Sequence, residues 1–293
     1  MMVGKNLLHK SLNKKCLKVA IDGLDGSGKG SCVEEMANNL SKKGFAVLLC
    51  DYPNYSLPWG SFLYHLLNED DEDLEIKEKM LVYALNRLET VPSIIDVSNK
   101  LIDENGSVVV IFDRYVTSNM LTLSYYQLYR GAGEDPDTLL DEYLPFMWQI
   151  DKYFVQYLEL EETKVIVPIL DAKETMKRIK TDGTRSQADF YEKTDVQDMA
   201  RMLYIKASEI EHRIKTFSQY DENEDRYLTI EENAKKCLEI FDISDIENIV
   251  PNKKPGKIER LTADESVVDV SILRKLLDEF GSTRLKGFDP HKS

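Results

Sequence analysis

The sequence is poor in the residues that build metal centres and disulfide frameworks. It has four cysteines and four histidines in 293 residues. Cys16, Cys32, Cys50 and Cys237 form no CxxC pair, and His9, His65, His212 and His291 are equally scattered. Neither a structural zinc site nor a disulfide scaffold has the spacing it needs. Free buried thiols in a reducing compartment are the natural reading, so a cytoplasmic location is expected. Long hydrophobic runs are also missing. None approaches the roughly 20 apolar residues that cross a bilayer, so no membrane partner is expected. The first 18 residues carry Lys5, Lys10, Lys14, Lys15 and Lys18 but no apolar stretch and no arginine. They read as neither a secretory signal nor an Arg-rich transit peptide. Positive charge is in deficit: 38 Lys and Arg stand against 52 Asp and Glu, a net charge of -14. That excludes a general nucleic-acid binder, whose footprint is basic. Phosphate chemistry on this chain needs a locally positive site on an acidic body.

What is present is an alternation of short apolar runs and helical patterns. Residues 17–21, 45–50 and 107–112 read as buried strands, the last (SVVVIF) hydrophobic enough to be covered on both faces of a parallel sheet. Residues 29–43, 61–68, 76–89 and 92–104 read as helices, and a long helical pattern runs over 191–217. Residues 165–170 form a fourth strand candidate. Pro168 inside it predicts a bulge, a strand end or an exposed N–H side. A last short strand is expected at 226–229, and Thr229 with Glu232 predicts a capping box at the next helix. The acidic run 69–75 reads as a solvated loop. Residues 251–256 read as a linker, and 267–280 as one more helix. The expected organisation is an N-terminal extension (1–16), a catalytic domain (17–243) and a C-terminal linker and helical tail (244–293).

The central chemical signal is Gly23-Leu24-Asp25-Gly26-Ser27-Gly28-Lys29-Gly30-Ser31. Gly23 and Gly28-Lys29 match GxxxxGK, the phosphate-binding P-loop. Alone this pattern arises by chance in roughly one chain in ten of this length. Here it follows an apolar strand and opens a helix, which is the required context. Backbone N–H groups of such a loop point at phosphate, and the helix adds its positive end. Lys29 reaches the outer phosphates as a point charge. The usual Ser or Thr after the lysine is replaced by Gly30, so Ser31 is the candidate magnesium ligand. Asp113-Arg114 ends the SVVVIF strand; an acid there organises Mg²⁺ and an adjacent arginine clamps phosphate. Tyr83 and Arg87 are four apart on one helix face. By periodicity alone they are a core tyrosine and a surface arginine; together they are also a ring and a cation suited to hold a base. The fold class expected is α/β: a three-layer, doubly wound parallel sheet of P-loop NTPase type with helices on both faces.

In their order along the chain, these segments resemble the thymidylate kinase family, over about residues 18–241. Ile21-Asp22-Gly23 through Lys29 resembles its P-loop, and Tyr52-Pro53-Asn54-Tyr55 its Phe-Pro loop. Tyr83-Ala84-Leu85-Asn86-Arg87 resembles its base-binding helix, and Asp113-Arg114-Tyr115-Val116-Thr117-Ser118-Asn119 its DRY-x-x-S-N segment. The resemblance implies an ATP-dependent kinase of dTMP, with Mg²⁺ and small-molecule substrates, no nucleic-acid partner, and an assembly that in this family is often a homodimer. It implies that Tyr83 stacks on thymine and Arg87 bonds its O4. It implies that Arg114 holds the acceptor phosphate, with Ser118 and Asn119 beside the base and Tyr55 in the acceptor loop. Asp25, Ser31 and Asp113 are the implied Mg²⁺ residues, and Lys29, Arg114 and a lid arginine, Arg185, the catalytic cations. Arg178 is the other lid candidate, with Lys177 and Lys180 nearby; Arg185 is favoured because it lies in the glycine-containing loop Asp182-Gly183-Thr184. Three positions depart from the family: Asn54 stands where an arginine is common, Thr122 where an aromatic or His is usual, and Gly26 where some members carry a catalytic arginine. A kinase of dUMP, dGMP or a deoxynucleoside, and a relative that only binds nucleotide, are the alternatives. A GTP-driven switch is disfavoured, because Asn252-Lys253-Lys254-Pro255 fails the NKxD guanine signature at its last position.

Overall fold

Strands rich in Val, Ile and Leu on both faces need cover on both sides, and the architecture supplies it. The computed structural model describes residues 15–68, 74–129, 135–160, 163–181, 193–242, 251–288 and 290–291. In chain order the elements are β1 (Cys16–Ile21), α1 (Lys29–Lys42), β2 (Ala46–Asp51), α2 (Pro58–Asn68), α3 (Ile76–Glu89), α4 (Val91–Asn105) and β3 (Val108–Asp113). A 3-10 turn (Val116–Ser118) leads into α5 (Asn119–Tyr129), α6 (Pro136–Ile150), α7 (Lys152–Leu158), β4 (Val165–Ile169), α8 (Ala172–Thr181) and α9 (Thr194–Ile210). Then follow β5 (Ile214–Ser218), β6 (Tyr220–Asp221), β7 (Arg226–Tyr227), α10 (Ile230–Phe241), β8 (Ile258–Arg260), α11 (Val270–Phe280) and α12 (Thr283–Gly287).

Six strands form one parallel sheet in the order β5-β4-β1-β3-β2-β8. Strand alternation divides the core in two. Ala20, Leu48, Val110 and Phe112 face one side; Val19, Ile21, Val47, Leu49 and Ile111 face the other, against α1 and α10. β1 lies between β3 and β4, so the order reverses there. The carboxyl ends at that reversal are where ligands bind in open α/β sheets, and both the glycine loop after β1 and the Asp-Arg pair after β3 fall at it.

β1 pairs with β4 only at Val165 and Ile166. Pro168 therefore lies past the end of that pairing, and its missing N–H breaks no bond to β1. The expected capping box is present: Glu232 N donates to Thr229 Oγ1 at 3.2 Å and Thr229 N to Glu232 Oε2 at 2.8 Å. The expected helix over 191–217 is corrected. α9 stops at Ile210, and Ile214–Ser218 (IKTFS) forms β5, an edge strand parallel to β4. Its β-branched residues gain a ladder there that helical propensity could not match. The stretch near 226–229 forms a strand in a separate two-stranded antiparallel unit, β6 with β7. β8 joins β2 in parallel, an edge strand for which the sequence offered no clear period. The helix expected over 267–280 is α11.

Candidate functional site: a phosphate cradle and an acceptor loop

The glycine loop takes its shape from three left-handed glycines, Gly23 (φ 132°), Gly26 (φ 73°) and Gly28 (φ 79°). Gly26 is required by space as well, since a Cβ there would stand 2.6 Å from Ile179 Cγ1 of α8. Gly28 is the N-cap of α1 and has no side chain to satisfy the first-turn donors. Those N–H groups, with the helix dipole, are the means of binding an anion.

Lys29 Nζ donates to Leu24 O at 3.1 Å and to Asp25 Oδ1 at 3.4 Å. Arg114 Nη2 donates to the same carboxylate oxygen of Asp25. Two cations from two separate strand ends thus meet on one acid. Arg114 has φ 72°, a left-handed conformation that L side chains rarely adopt. Such strain is held where the surroundings over-determine it, typically at functional sites. Burial and the neighbouring Arg114 push the Lys29 ammonium below its ordinary value, against the pull of Asp25, Asp113 and Asp22. Burial works against the Arg114 charge, but Asp25, Asp113 and Asp22 outweigh it and raise its pKa.

Asp113 stands beside this pair. Its Oδ1 is buried without a hydrogen-bond partner among the described residues, and its Oδ2 lies 3.5 Å from where a Cβ on Gly30 would be. Burial pushes its carboxyl up, against Lys29 and Arg114. Ser31 is exposed on the first turn of α1. An orphaned carboxylate oxygen at the edge of a phosphate loop fits a hydrated Mg²⁺, which keeps several waters and takes few protein ligands. Among the described residues no cluster of three or more His, Cys, Asp or Glu can hold a metal by itself. A cation here would rely on nucleotide phosphates for the rest of its shell.

Asp22 is the residue that sequence reasoning quoted without assigning a role. Wholly buried, it accepts from Gly23 N at 2.9 Å, Ser118 Oγ at 2.6 Å, Tyr204 OH at 3.1 Å and Thr117 Oγ1. It ties the phosphate loop to the DRY-x-x-S-N segment and to α9. Ser118 spends its hydroxyl on this hub. Gln197 of α9 accepts from Asp25 N at 3.0 Å, and Gln219 Nε2 donates to Ser27 O at 3.0 Å. Neither glutamine belongs to a motif. The only signal for Asp22 was an acid at the end of an otherwise apolar strand.

Past the Asp-Arg pair, Asn119 opens α5. It is buried, and its Nδ2 has no hydrogen-bond partner among the described residues. An orphaned buried donor is costly and marks a group that a ligand can satisfy. Tyr83 is half-buried on α3 and packs against the core. Arg87, one turn on, is buried and bonds Asp151 twice, Nε to Oδ1 at 3.0 Å and Nη2 to Oδ2 at 2.7 Å. Tyr55 is exposed, with its ring edge-on to Tyr64 at 5.5 Å. Asn54 is held by Asn86 of α3, which accepts from its N at 2.9 Å and donates to its O at 2.8 Å. Thr122 is buried on α5. Arg185 lies outside the described residues. Arg178 of α8 is described: it bonds Glu174 at 3.1 Å, lies over the Tyr227 ring, and comes within 3.9 Å of a Cβ position on Gly28. Among the described residues no helix is long and apolar enough to cross a membrane.

Comparison with known proteins identifies the family of the chain. The family model for thymidylate kinase matches residues 21–230. A thymidylate kinase of Halothermothrix orenii is 30% identical over 146 residues, 50% of this chain and 66% of that one. A probable thymidylate kinase of Thermococcus gammatolerans is 27% identical over 219 residues, 72% of this chain and 92% of that one. A solved thymidylate kinase of Candida albicans shares 18% identity with a TM-score of 0.49, over 76% of this chain and 90% of that one, too slight a likeness to carry an argument. The match covers most of the chain and contains the glycine loop, α3 and the Asp-Arg segment in order, and on that footing the chain belongs to the thymidylate kinase family of phosphotransferases.

Proposed function

We infer that this enzyme moves the γ-phosphate of ATP onto the 5′-phosphate of thymidine monophosphate, giving ADP and thymidine diphosphate on the route to dTTP. The observation that carries the reading is the convergence of Lys29 and Arg114 on Asp25. One carboxylate oxygen is shared by two cations there, with Asp113 and Asp22 contributing charge nearby, and incoming phosphates offer those cations further partners.

The acceptor's phosphate oxygen attacks the γ-phosphorus. The bond from that phosphorus to the β,γ-bridging oxygen breaks, and its electron pair stays on ADP. That nucleophile is ionised near neutral pH, so no general base is required. Catalysis is positioning and charge neutralisation. The α1 N-terminus and Lys29 hold the nucleoside triphosphate, and Arg114 holds the acceptor phosphate in line with it. Asp113 and Ser31 would hold Mg²⁺ through water, with Asp25 near; when bound, that ion neutralises charge on the triphosphate. Arg185 is the proposed third cation over the transferred group. Asn119, with its orphaned amide, and Tyr83 and Arg87 on one face of α3 support a pocket for a pyrimidine base, with Tyr55 at the rim. Cytoplasmic residence and a homodimer belong to the same reading.

A coupled ADP-release assay with dTMP, dUMP, dGMP and thymidine tests it. The expected result is the highest kcat/KM for dTMP. Equal or faster turnover of dGMP or thymidine would replace the substrate. ATP and dTMP binding without ADP release would make the protein a nucleotide binder.

A further inference from the structure

The family match ends at residue 230, yet the chain beyond it returns to the acceptor side of the site. The return is made at several points. β8 pairs with β2, and Arg260 bonds Asp51 at the carboxyl end of β2. Asp264 N donates to Ser93 Oγ of α4 at 3.1 Å. α11 buries Ile272, Leu273, Leu276 and Leu277 in the main core. Phe288 stacks on Phe62 of α2 at 5.8 Å, and Phe62 in turn meets Trp59 edge-on at 5.8 Å.

The last contact is the most informative. His291 Nε2 lies 2.8 Å from Glu89 Oε1, and both side chains are almost wholly buried. Glu89 is the last residue of α3. Its two oxygens accept from Trp59 N, at 2.9 Å and 3.2 Å. It therefore serves the first turn of α2 as a capping anion supplied by another helix. Asn86, one turn earlier on α3, holds both backbone groups of Asn54. The close fit is visible at Gly60, where a Cβ would meet Asn54 O at 1.7 Å. Tyr52 OH, at the other end of the same loop, pairs with Thr90 Oγ1 at 2.6 Å. So the last turn of α3 and its C-cap grip the β2–α2 loop at three places, and one of the three, Glu89, is itself fixed by the tail. Arg274 Nη2 donates to His291 O at 2.9 Å, which anchors the tail residue from α11.

We propose that the C-terminal tail is a working part of the acceptor pocket, with His291 a positioning residue that, through Glu89, sets the β2–α2 loop and the start of α2 for the acceptor nucleotide. The claim rests on the thymidylate kinase reading for the identity of that acceptor. His291 touches no reacting group. Its effect passes through the carboxylate: without His291, Glu89 is a buried acid with one partner fewer, and its hold on Trp59 N loosens. The tail also meets α1, through Arg260 to Glu34 and Ser41 Oγ to Gly256 O at 2.6 Å, but the His291–Glu89 link itself bonds no residue of the glycine loop or α1 among the described residues.

The test is calorimetric titration of dTMP and of ATP into full-length wild type, His291→Ala, His291→Gln and Phe288→Ala, with melting curves for each. Losing a hydrogen bond to a charged group, partly transmitted, weakens dTMP binding about three- to tenfold in His291→Ala. Glutamine, which keeps a donor, restores most of it. Phe288→Ala, which unseats the tail without touching Glu89, weakens dTMP in the same direction. ATP affinity stays at the wild-type value throughout. If His291→Ala fails to fold, Phe288→Ala read against His291→Gln gives the same answer. Unchanged dTMP affinity in folded variants, or an equal loss for ATP, overturns the proposal, because a merely structural tail lowers the melting temperature without selecting one ligand. Wild type that binds dGMP in place of dTMP overturns the thymidylate reading alone, and the variants are then compared on dGMP. Wild type that binds no acceptor overturns both.

Discussion

Arg114 and Arg87 both face carboxylates, yet they are held in opposite ways. Arg87 sits in a regular helix with its side chain 3% exposed, and forms a two-point pair with a fully buried Asp151. Arg114 sits in a left-handed turn, 22% exposed, and shares one oxygen of Asp25 with Lys29. The first arrangement is complete: each partner's charge is matched by geometry. In the second, two cations share one oxygen of Asp25, with Asp113 and Asp22 nearby, at a site open enough to admit an anion. The contrast separates a charge whose first task is to hold elements together from one kept available to a ligand. For Arg87 the two roles are compatible, because the Asp151 pair would hold it in place for the base contact that the family implies.

The contrast can be broken most severely at Arg87. Removing one partner of a buried pair leaves an uncompensated charge, so Arg87→Ala should lower stability by about 3–5 kcal/mol, measured by urea unfolding. A loss under about 1 kcal/mol would make this pair no different from a surface bridge. Arg114→Gly should act differently. It relieves the left-handed strain but takes a cation from Asp25, so stability changes by about 1 kcal/mol or less, while kcat falls about 100- to 1000-fold. A variant that keeps a tenth of the wild-type rate would remove Arg114 from catalysis. Lys29→Ala, on the other side of Asp25, should show a similar fall in rate.

Asp113→Asn sharpens the comparison at smaller scale. Burial raises the Asp113 pKa in the folded state above its ordinary 3.8. The folded protein thus holds that proton more tightly, and stability falls as pH rises from the unfolded value through the folded one. Asparagine removes this fall, so its pH–stability curve should be flatter above pH 3.8. Its melting temperature at neutral pH should rise by roughly 2 °C. Its rate should drop about tenfold, with partial recovery at high Mg²⁺, if Asp113 serves the ion. A Tm below wild type would mean that the acid is stabilised in place.

The smallest effect is expected at Glu232, which among the described residues bonds Arg226 and Thr229 and not the phosphate loop. Arg226 above all, with the Thr229 backbone, pushes its carboxyl down to about 2. Its contribution is present above the ordinary value of 4.5 and is lost as pH falls toward 2. Glu232→Gln should remove that acid-side dependence and leave kcat unchanged. A change in kcat would show that the α10 cap is coupled to the phosphate loop through its packing on α1.

The parts legible in sequence were those governed by near neighbours. The glycine loop could be read because left-handed turns and helix starts depend on a few adjacent residues. Thr229 and Glu232 could be read because a capping box spans one turn. Buried strands β1, β2 and β3 announced themselves by unbroken hydrophobicity. β5 could not be read, because IKTFS continues a helical pattern and only the waiting edge of β4 makes it a strand. β8 is three residues long and has no period at all. Arg87 looked like a surface charge by periodicity, since its partner Asp151 is 64 positions away.

By itself the sequence determined the chemistry on offer: a phosphate loop, an acid and an arginine at a strand end, and an aromatic and a cation on one helix face. Backbone sterics and side-chain pattern act over a few residues, and they suffice for that. Only the tertiary structure decided which charges meet. It brought Arg114 across 89 positions to Asp25, gathered four donors on Asp22, and carried His291 across 202 positions to Glu89. Such pairings are set by where the sheet and its covering helices deliver each side chain, and charge complementarity alone has many equal solutions on a chain with 38 cations and 52 anions.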